Sequence, residues 1–418
     1  MDVAKYQRRI ENLTALLEIS KELGASTELV PLLERIEQAT RRVLDCERAS
    51  VFLYDACADE LYSEVATGPV EIRFSAKLGI AGHAAQTRKV LNVPDAYADP
   101  RFNAEVDKKT GFRTRNLLAF GLTGYDGRMV GVLQALNKQR GSFTAADEEL
   151  AAALSSLAGV AVQRQMLLDE YAEKQRLQRD LAVARDIQQS LLPKSDPHVA
   201  GYDVAGWNKP ADETGGDCYD FLELSDGRWG LLLADAAGHG IGPALIVSQC
   251  RSLLRALISS INDLPEAMQR TNELLGRDLS GGRFVTTFLG ILDPEDHRVH
   301  YVSAGHGPLL HFKPGAGQAI EIPASTLPLG ILPELDAAAP APIRLDPGDT
   351  LLLVTDGFFE WLNPEEEQFG TARIFDLVRA HPQASSAEII DLLHGAVVKF
   401  GRGTPQTDDL TAIAIKRR

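Results

Sequence analysis

The chain has 418 residues, of which 58 are acidic and 43 basic, for a formal charge of −15. That length exceeds one ordinary hydrophobic core, so two globular domains with connectors are expected. The acidic balance excludes the basic stripe of a nucleic-acid-binding surface. Cys46, Cys57, Cys218 and Cys250 form no CxxC pair and stand near no histidine at zinc-finger spacing. Reduced thiols in a cytoplasmic protein are the simplest account. The N-terminus has no apolar core of a signal peptide, and the weakly polar stretch Leu150 to Val162 is too short to span a bilayer, so no membrane association is expected.

In chain order, Tyr6 to Leu23 places Ile10, Leu13, Leu16 and Leu17 at helical steps, and Gly24 closes this first segment, 1–24. So narrow a stripe fits docking on its own domain or pairing with a second chain. Residues 25–163 read as a mixed domain. Leu29 to Leu44 is a helix; Ala49 to Tyr54 and Leu61 to Ala66 are strands. Gly79 opens a short helix, and Asn116 to Leu122 pairs with Met129 to Leu136 around Gly124-Tyr-Asp-Gly127. Thr144 to Val162 is a helix with Thr144 and Asp147 at capping-box spacing. Helices on one side of a central antiparallel sheet suit this order. Residues 164–194 turn Gln-, Arg- and Glu-rich, with Leu167, Leu177, Leu181, Ala184, Ile187 and Leu191 forming an interrupted heptad seam that Pro193 stops. The seam fits a coiled-coil-like helical linker; a passive spacer is the alternative.

In residues 195–418 strands outnumber helices. Tyr202 to Trp207, Tyr219 to Leu224, Arg228 to Ala236, Phe284 to Leu292, Arg298 to Ser303, Leu309 to Phe312, Asp349 to Thr355 and Leu410 to Ile415 are expected strands. Pro243 to Ile258, Leu264 to Leu279, Ala372 to Ala380 and Ser386 to Phe400 are expected helices. The continuous apolar run Leu231 to Ala234 reads as a strand buried on both faces and ends on Asp235. Three other turns carry an acid beside an apolar segment: Thr214-Gly-Gly-Asp217, Thr355-Asp356-Gly357 and Thr407-Asp408-Asp409. Acidic turns are common. Brought together, however, four such carboxylates repel and raise each other's pKa unless a cation neutralises them, and oxygen-only ligands suit Mg²⁺ or Mn²⁺ rather than zinc.

Gly215-Gly-Asp-Cys-Tyr-Asp220, Asp235 to Gly240, Ala304-Gly-His-Gly-Pro308, Leu327-Pro-Leu-Gly330, Thr355-Asp-Gly357 with Glu360, and Asp408-Asp-Leu-Thr411 occur in this order. The combination resembles the bacterial PP2C-type (PPM) serine phosphatases, in the branch of the SpoIIE- and RsbU-like regulators. The resemblance implies an α-β-β-α sandwich and two Mn²⁺ or Mg²⁺ ions activating water against a phosphoester. It implies Asp235 and Asp217 as catalytic residues, with Asp235 bridging both ions, the Ala236 carbonyl as a second contact, Asp217 completing one ion, and Asp356 and Asp408 the other. Asp409 falls where many relatives have asparagine and reads as a supporting residue. Glycines 215, 216, 238 and 240 allow close backbone approach. His239 reads as turn packing or as a proton donor, His306 as structural. Cys218 lacks the Cys-x5-Arg loop of a phosphatase nucleophile. Two departures stand out: Gly357-Phe-Phe-Glu-Trp361 is more aromatic than in relatives, and Ala236-Ala237 replaces the usual Val-Ser.

Asn92 to Phe102, Lys108 to Gly111, and Asn137-Lys138 followed by Phe143 and Asp147-Glu148 make residues 25–163 resemble a GAF domain. The last spacing is that of cyclic-nucleotide-binding GAF domains, which marks Asn137, Lys138, Phe143 and Asp147 as the ligand-pocket signature. In the family these residues fix the fold around the pocket. Three readings stay open: cAMP or cGMP, another small molecule, or a ligand-free dimerisation module.

Together these features give an α+β chain: an N-terminal GAF domain, a helical linker and a C-terminal phosphatase sandwich. The expectation is a cytoplasmic, homodimeric, ligand-regulated protein serine/threonine phosphatase. The resemblance implies a phosphorylated anti-sigma-factor antagonist of the STAS type as substrate. The alternative is a non-catalytic scaffold whose phosphatase-like half only binds a partner. A cyclic-nucleotide phosphodiesterase would need a histidine cluster that the scattered histidines do not form.

Overall fold

Leu231 and Leu233 pack into one core while Leu232 and Ala234 pack into another. The strand is therefore buried on both faces, as an uninterrupted apolar run requires. The computed structural model describes residues 2–63, 72–261, 263–279, 282–335 and 337–418. The chain divides into two compact units, Met1–Arg176 and Leu177–Arg418.

In the first unit α1 (Asp2–Gly24) and α2 (Leu29–Leu44) lead into β1 (Cys46–Asp55), β2 (Glu60–Ser63) and β3 (Ile72–Ser75). Then come α3 (Gly79–Thr87), β4 (Leu91–Val93), α4 (Ala104–Thr110), β5 (Leu117–Thr123), β6 (Met129–Lys138) and α5 (Ala145–Leu191). The sheet order is β3-β2-β1-β6-β5-β4, and every pairing is antiparallel. Leu32, Leu33 and Ile36 of α2 and Ala151, Leu154 and Ala158 of α5 cover one face. The expectation of helices on one side needs correction, because Ile80, Ala81 and Ala84 of α3 join a separate core with Leu117, Ala119 and Val132. Strand residues alternate between faces, so both faces of β5 are apolar and both need cover. Residues 64–66 of the expected second strand lie outside the described residues. In α1, Ile19 and Leu23 are buried while Tyr6, Ile10, Leu13 and Leu17 are exposed.

The expected linker is not a separate helix, since α5 runs unbroken for 47 residues. No proline interrupts it before Pro193, and Gly159 sits where a side chain would strike the Thr123 backbone.

The second unit holds two five-stranded antiparallel sheets. One has the order β14-β11-β10-β9-β8, built from β8 (Asp217–Glu223), β9 (Trp229–Ala236), β10 (Val285–Asp293), β11 (Arg298–Ala304) and β14 (Ile343–Arg344). The other has the order β13-β12-β15-β16-β7, from β7 (Tyr202–Lys209), β12 (Leu309–Lys313), β13 (Gln318–Ile322), β15 (Thr350–Val354) and β16 (Leu410–Arg417). Tyr219, Leu231, Leu233, Phe288, Leu351 and Ile413 fill the space between the sheets. α6 (Ile241–Ile258) and α7 (Leu264–Asp278) cover the outer face of the first sheet. α8 (Asp356–Phe359), α9 (Gly370–Ala380) and α10 (Ser386–Gly401) cover the second. The result is a helix–sheet–sheet–helix sandwich. α6 is long and apolar enough to cross a membrane, but its Val247, Cys250, Leu254 and Ile258 are buried against the sheet.

Candidate active site

β8 and β9 pair with Asp217 directly opposite Asp235. Tyr219 and Leu233, two residues along each strand, face the opposing sheet. By the two-residue repeat the two carboxylates face it as well. What they meet is the end of β15 and β16. Thr355 Oγ1 and Thr411 Oγ1 donate to Asp217 Oδ2 at 2.8 and 2.6 Å. Thr355 N–H in turn donates to the Thr411 carbonyl at 3.0 Å. Asp356 opens α8 one residue after Thr355, and Asp408-Asp409 leads into β16. Four separate turns thus deliver their acids to one end of the sandwich.

The electrostatics record that convergence. Burial, and then the charges of Asp356, Asp408 and Asp409, push the Asp235 carboxyl up to about 8. Burial, and then Asp408 and Glu360, push Asp356 up to about 6. Asp217 rises far above the ordinary carboxylate value through burial and through Asp235 and Asp409. Asp409 is raised by burial, although its carboxylate accepts from Ala211 N–H at 2.7 Å and Asp217 N–H at 3.2 Å. It braces the turn that carries Asp217. Among the described residues no group of three or more His, Cys, Asp or Glu side chains is clustered tightly enough to hold a metal. The donor set still fits a divalent cation in kind. It is all oxygen, and its acids carry like-charge repulsion that a cation would neutralise.

The glycines have measurable reasons. A methyl on Gly216 would lie 2.7 Å from the Ala236 carbonyl oxygen, and one on Gly215 2.5 Å from Asp409 Oδ2. Ala236 N–H donates to the Gly216 carbonyl at 2.9 Å. Its backbone, the expected second metal contact, therefore abuts the turn before Asp217.

His239 is exposed, with Nδ1 2.7 Å from Asp212 Oδ2. His306 is buried; its Nδ1 lies 3.5 Å from the hydroxyl of Thr286, the residue opposite Asp235 on β10. The Cys218 thiol is buried and raised well above its ordinary value by burial, which leaves it without nucleophilic character.

Sequence reasoning missed Gln188. Its side-chain amide accepts from Gly215 N–H at 3.1 Å and donates to the Gly215 carbonyl at 2.6 Å. A polar residue on a polar helix gives no periodic signal. Thr355 and Thr411 were within the motifs, but their hydrogen bonds to Asp217 require the two sheets to be packed.

In the first unit Lys138 Nζ donates to Asp147 Oδ1 and to the Leu44 carbonyl, both at 2.8 Å. Asp147 Oδ2 accepts from Thr144 N–H and Oγ1 at 2.8 and 2.9 Å. Asn137 donates to Glu47 Oε2 and the Arg113 carbonyl and accepts from Arg115 N–H. Phe143 packs into the core under α2 and α5, with Lys138 Nζ 5.8 Å from its ring centre. The four residues come together at the end of β6, their polar groups bonded to protein atoms.

Residues 225–418 match the family model of stage II sporulation protein E (SpoIIE), and residues 28–162 match the GAF domain. Protein IcfG of Synechocystis sp. is 26% identical over 265 residues, covering 57% of this chain and 41% of IcfG. The chain thus spans less than half of that relative. Phosphoserine phosphatase RsbU of Bacillus subtilis is 24% identical over 245 residues, 59% of this chain and 72% of RsbU. The SiaA-PP2C domain of Pseudomonas aeruginosa shares the fold, with a TM-score of 0.52 at 22% identity over 59% of this chain and 98% of that one. Residues 28–162 thus match a GAF domain and residues 225–418 a SpoIIE domain, on a sandwich that gathers its acids at one end, and in this domain order the chain is similar to the SpoIIE/RsbU-like PP2C-type phosphatases.

Proposed function

We propose that this protein is a Mn²⁺- or Mg²⁺-dependent protein serine/threonine phosphatase regulated through its GAF domain. The observation that carries this reading is the Asp235 carboxyl, pushed up to about 8 among Asp356, Asp408 and Asp409 and facing Asp217 across the ladder. Acids gathered in this way, with Asp217 and Asp409 buried and Asp235 and Asp356 half-buried, are costly to assemble for packing alone. A pair of divalent ions roughly 4 Å apart, when bound, supplies a hydroxide nucleophile and neutralises the phosphoryl oxygens. Asp235 would contact both ions, Asp217 and the Ala236 carbonyl would complete one side, and Asp356 and Asp408 the other. Thr355 and Thr411 orient the Asp217 carboxylate, and Asp409 holds its backbone.

RsbU carries the name phosphoserine phosphatase, which supports a phosphoprotein substrate. The family resemblance points to a STAS-type antagonist. For the GAF domain the reading is a small ligand, with cAMP and cGMP as the first to test by calorimetry on the full chain. The exposed apolar side chains of α1 and of α5, among them Ile10, Leu17, Leu177 and Ile187, support a homodimer. The cysteine pattern supports a cytoplasmic setting.

The test is hydrolysis of para-nitrophenyl phosphate with Mn²⁺. The wild-type chain should turn over, and Asp235→Asn should lose on the order of 10³-fold or more in kcat, about 4 kcal/mol, while its GAF half keeps its thermal transition. Asp235→Asn activity near wild type would reject the assignment. Absence of any metal-dependent hydrolysis by the wild type would favour the scaffold reading.

A further inference from the structure

We infer that Thr286 is a positioning residue for Asp235, its hydroxyl donating to that carboxylate and its own orientation set by His306; the inference rests on the phosphatase reading above. Thr286 is the second residue of β10 and stands directly opposite Asp235 on β9. Asp217, Asp235 and Thr286 thus form one row across β8, β9 and β10. The face that Thr286 takes follows from its neighbours along the strand. Thr287 turns outward, with its hydroxyl 3.8 Å from the Cys250 thiol of α6, while Phe288 lies in the core between the sheets. By the two-residue repeat Thr286 faces inward with Phe288, on the same side as Asp235. Side chains directly opposite on one face have Cβ atoms about 4.5–5.5 Å apart, so a hydroxyl and a carboxylate at these positions are within reach of one hydrogen bond. Both residues are half-buried.

Asp217, in the same row, already receives hydroxyl donors from Thr355 and Thr411. Thr286 stands in the corresponding place beside Asp235, and His306 approaches it from the other strand. His306 follows β11, which lies on the side of β10 away from β9, so Thr286 stands between His306 and Asp235. The turn that carries His306 is pinned: Ser303 Oγ donates to the His306 carbonyl, and Gly305 N–H donates to the Thr326 carbonyl at 2.8 Å. Its imidazole is buried, with Nδ1 3.5 Å from Thr286 Oγ1 and no partner on Nε2 among the described residues. Either neutral tautomer leaves Nε2 unsatisfied, and a buried N–H without an acceptor is the rarer arrangement, which favours the proton on Nδ1. The Thr286 oxygen then accepts from Nδ1–H, and its own proton is left to donate toward Asp235. At 3.5 Å the contact is long, so His306 directs the hydroxyl and adds little binding of its own. A donor that orients a metal-binding carboxylate is worth about 10- to 100-fold in metal affinity.

The experiment titrates full-length wild type, Thr286→Val, Thr286→Ser, His306→Leu and the Thr286→Val/His306→Leu double variant with Mn²⁺ by calorimetry. It also measures kcat and KM for para-nitrophenyl phosphate, with urea unfolding to confirm the fold. Thr286→Val keeps the shape of the side chain without the hydroxyl, and its Mn²⁺ dissociation constant should rise about 10- to 100-fold while KM stays within about threefold. Thr286→Ser should return most of the loss. The double variant should bind Mn²⁺ no more weakly than Thr286→Val alone, because His306 acts through the hydroxyl. Wild-type Mn²⁺ affinity in a folded Thr286→Val would overturn the inference and leave the phosphatase reading standing. Equal losses in Thr286→Val and Thr286→Ser would overturn it as well, since shape and not the hydroxyl would then matter. So would a rise in KM at unchanged Mn²⁺ affinity, which would put the hydroxyl on the substrate, and so would fully additive losses in the double variant. Should His306→Leu not fold, the comparison of Thr286→Val with Thr286→Ser decides by itself. A wild-type protein with neither Mn²⁺ binding nor metal-dependent hydrolysis would remove both the inference and the reading beneath it.

Discussion

Gln188 and Gly215 are tied by two hydrogen bonds running in opposite directions, from Gln188 Nε2 to the Gly215 carbonyl and from Gly215 N–H to Gln188 Oε1. Gln188 belongs to the last turns of α5, and Gly215 precedes Asp217 by two residues. The end of the long helix is thereby bonded to the turn that presents a candidate metal ligand. Gln188→Leu keeps the approximate volume but strands both backbone groups of Gly215 in a buried position. We expect the phosphatase half to lose about 1–3 kcal/mol in urea unfolding, and the Mn²⁺ concentration for half-maximal activity to rise severalfold. An unchanged urea midpoint and metal requirement would show that the amide is a bystander.

Gly216→Ala should be far more damaging than an ordinary glycine substitution. The added methyl would meet the carbonyl oxygens of Ala236 at 2.7 Å and Gly238 at 2.9 Å, both backbone atoms that move only if the turn moves. A cost of about 1–3 kcal/mol in stability is expected from the overpacking, together with a loss of activity of at least about 100-fold as the Ala236 carbonyl is displaced. The control is Gly395→Ala in α10, where nothing lies within 4 Å of the added methyl. It should stabilise the protein by about 0.5–1 kcal/mol and leave kinetics untouched. Equal behaviour of the two variants would remove the steric argument.

The acids of the site were legible because each stands in a glycine-rich or polar turn beside an apolar run, a pattern local to a few residues. What they face was not, because the Thr355 and Thr411 hydroxyls reach Asp217 only across two packed sheets. Short edge strands escaped for a related reason. β14 has two residues, Ile343–Arg344, and exists because β11 offers it an edge. β13 reads Gln318-Ala-Ile-Glu-Ile, too polar to announce itself, and is held by β12. The boundary expected near residue 163 followed a change of composition, yet composition does not stop a helix that lacks a breaker, and α5 continues to Leu191. In the GAF half, the continuously buried β5 was itself a sign that helices must cover both faces, and α3 supplies the second cover.

Lys138 and Asp147 form an ion pair with side chains only 13% and 10% exposed. Burial opposes ionisation of Asp147, but the hydrogen bonds from Lys138 and Thr144 outweigh it and hold the carboxyl below its ordinary value. A carboxylate lowered by folding contributes stability that is present above the unfolded value near 4 and is lost as pH falls through the folded value. Lys138→Met leaves Asp147 buried without its cation and should cost the GAF transition about 3–5 kcal/mol at pH 7. The deficit relative to wild type should shrink as pH falls through the folded wild-type value, which lies below the ordinary one near 4, because the acid is then neutral in both proteins. In a double-mutant cycle with Asp147→Asn the costs should be clearly less than additive. Additive costs would mean that the two side chains act independently.

His306 provides the opposite case, a base held neutral. Burial lowers its pKa to about 4 from an ordinary 6.5. Among the described residues its Nε2 has no hydrogen-bond partner, and Nδ1 reaches only the Thr286 hydroxyl at 3.5 Å. Between pH 6.5 and about 4 the unfolded chain takes up a proton that the folded chain refuses. Stability is therefore lost as pH falls through 6.5, and the loss is complete near 4. At ~1.4 kcal/mol per pH unit the loss amounts to about 3 kcal/mol. His306→Gln keeps a polar side chain that never titrates, so its unfolding free energy should fall less steeply over this interval, by about that amount, even if the variant is less stable at pH 8. Carboxylates elsewhere titrate in the same window in both proteins, so the difference between the two curves isolates the imidazole. A variant curve parallel to wild type from pH 7 to 4 would mean that the folded protein accommodates the imidazolium, and that the pocket around Nε2 is open enough to admit water.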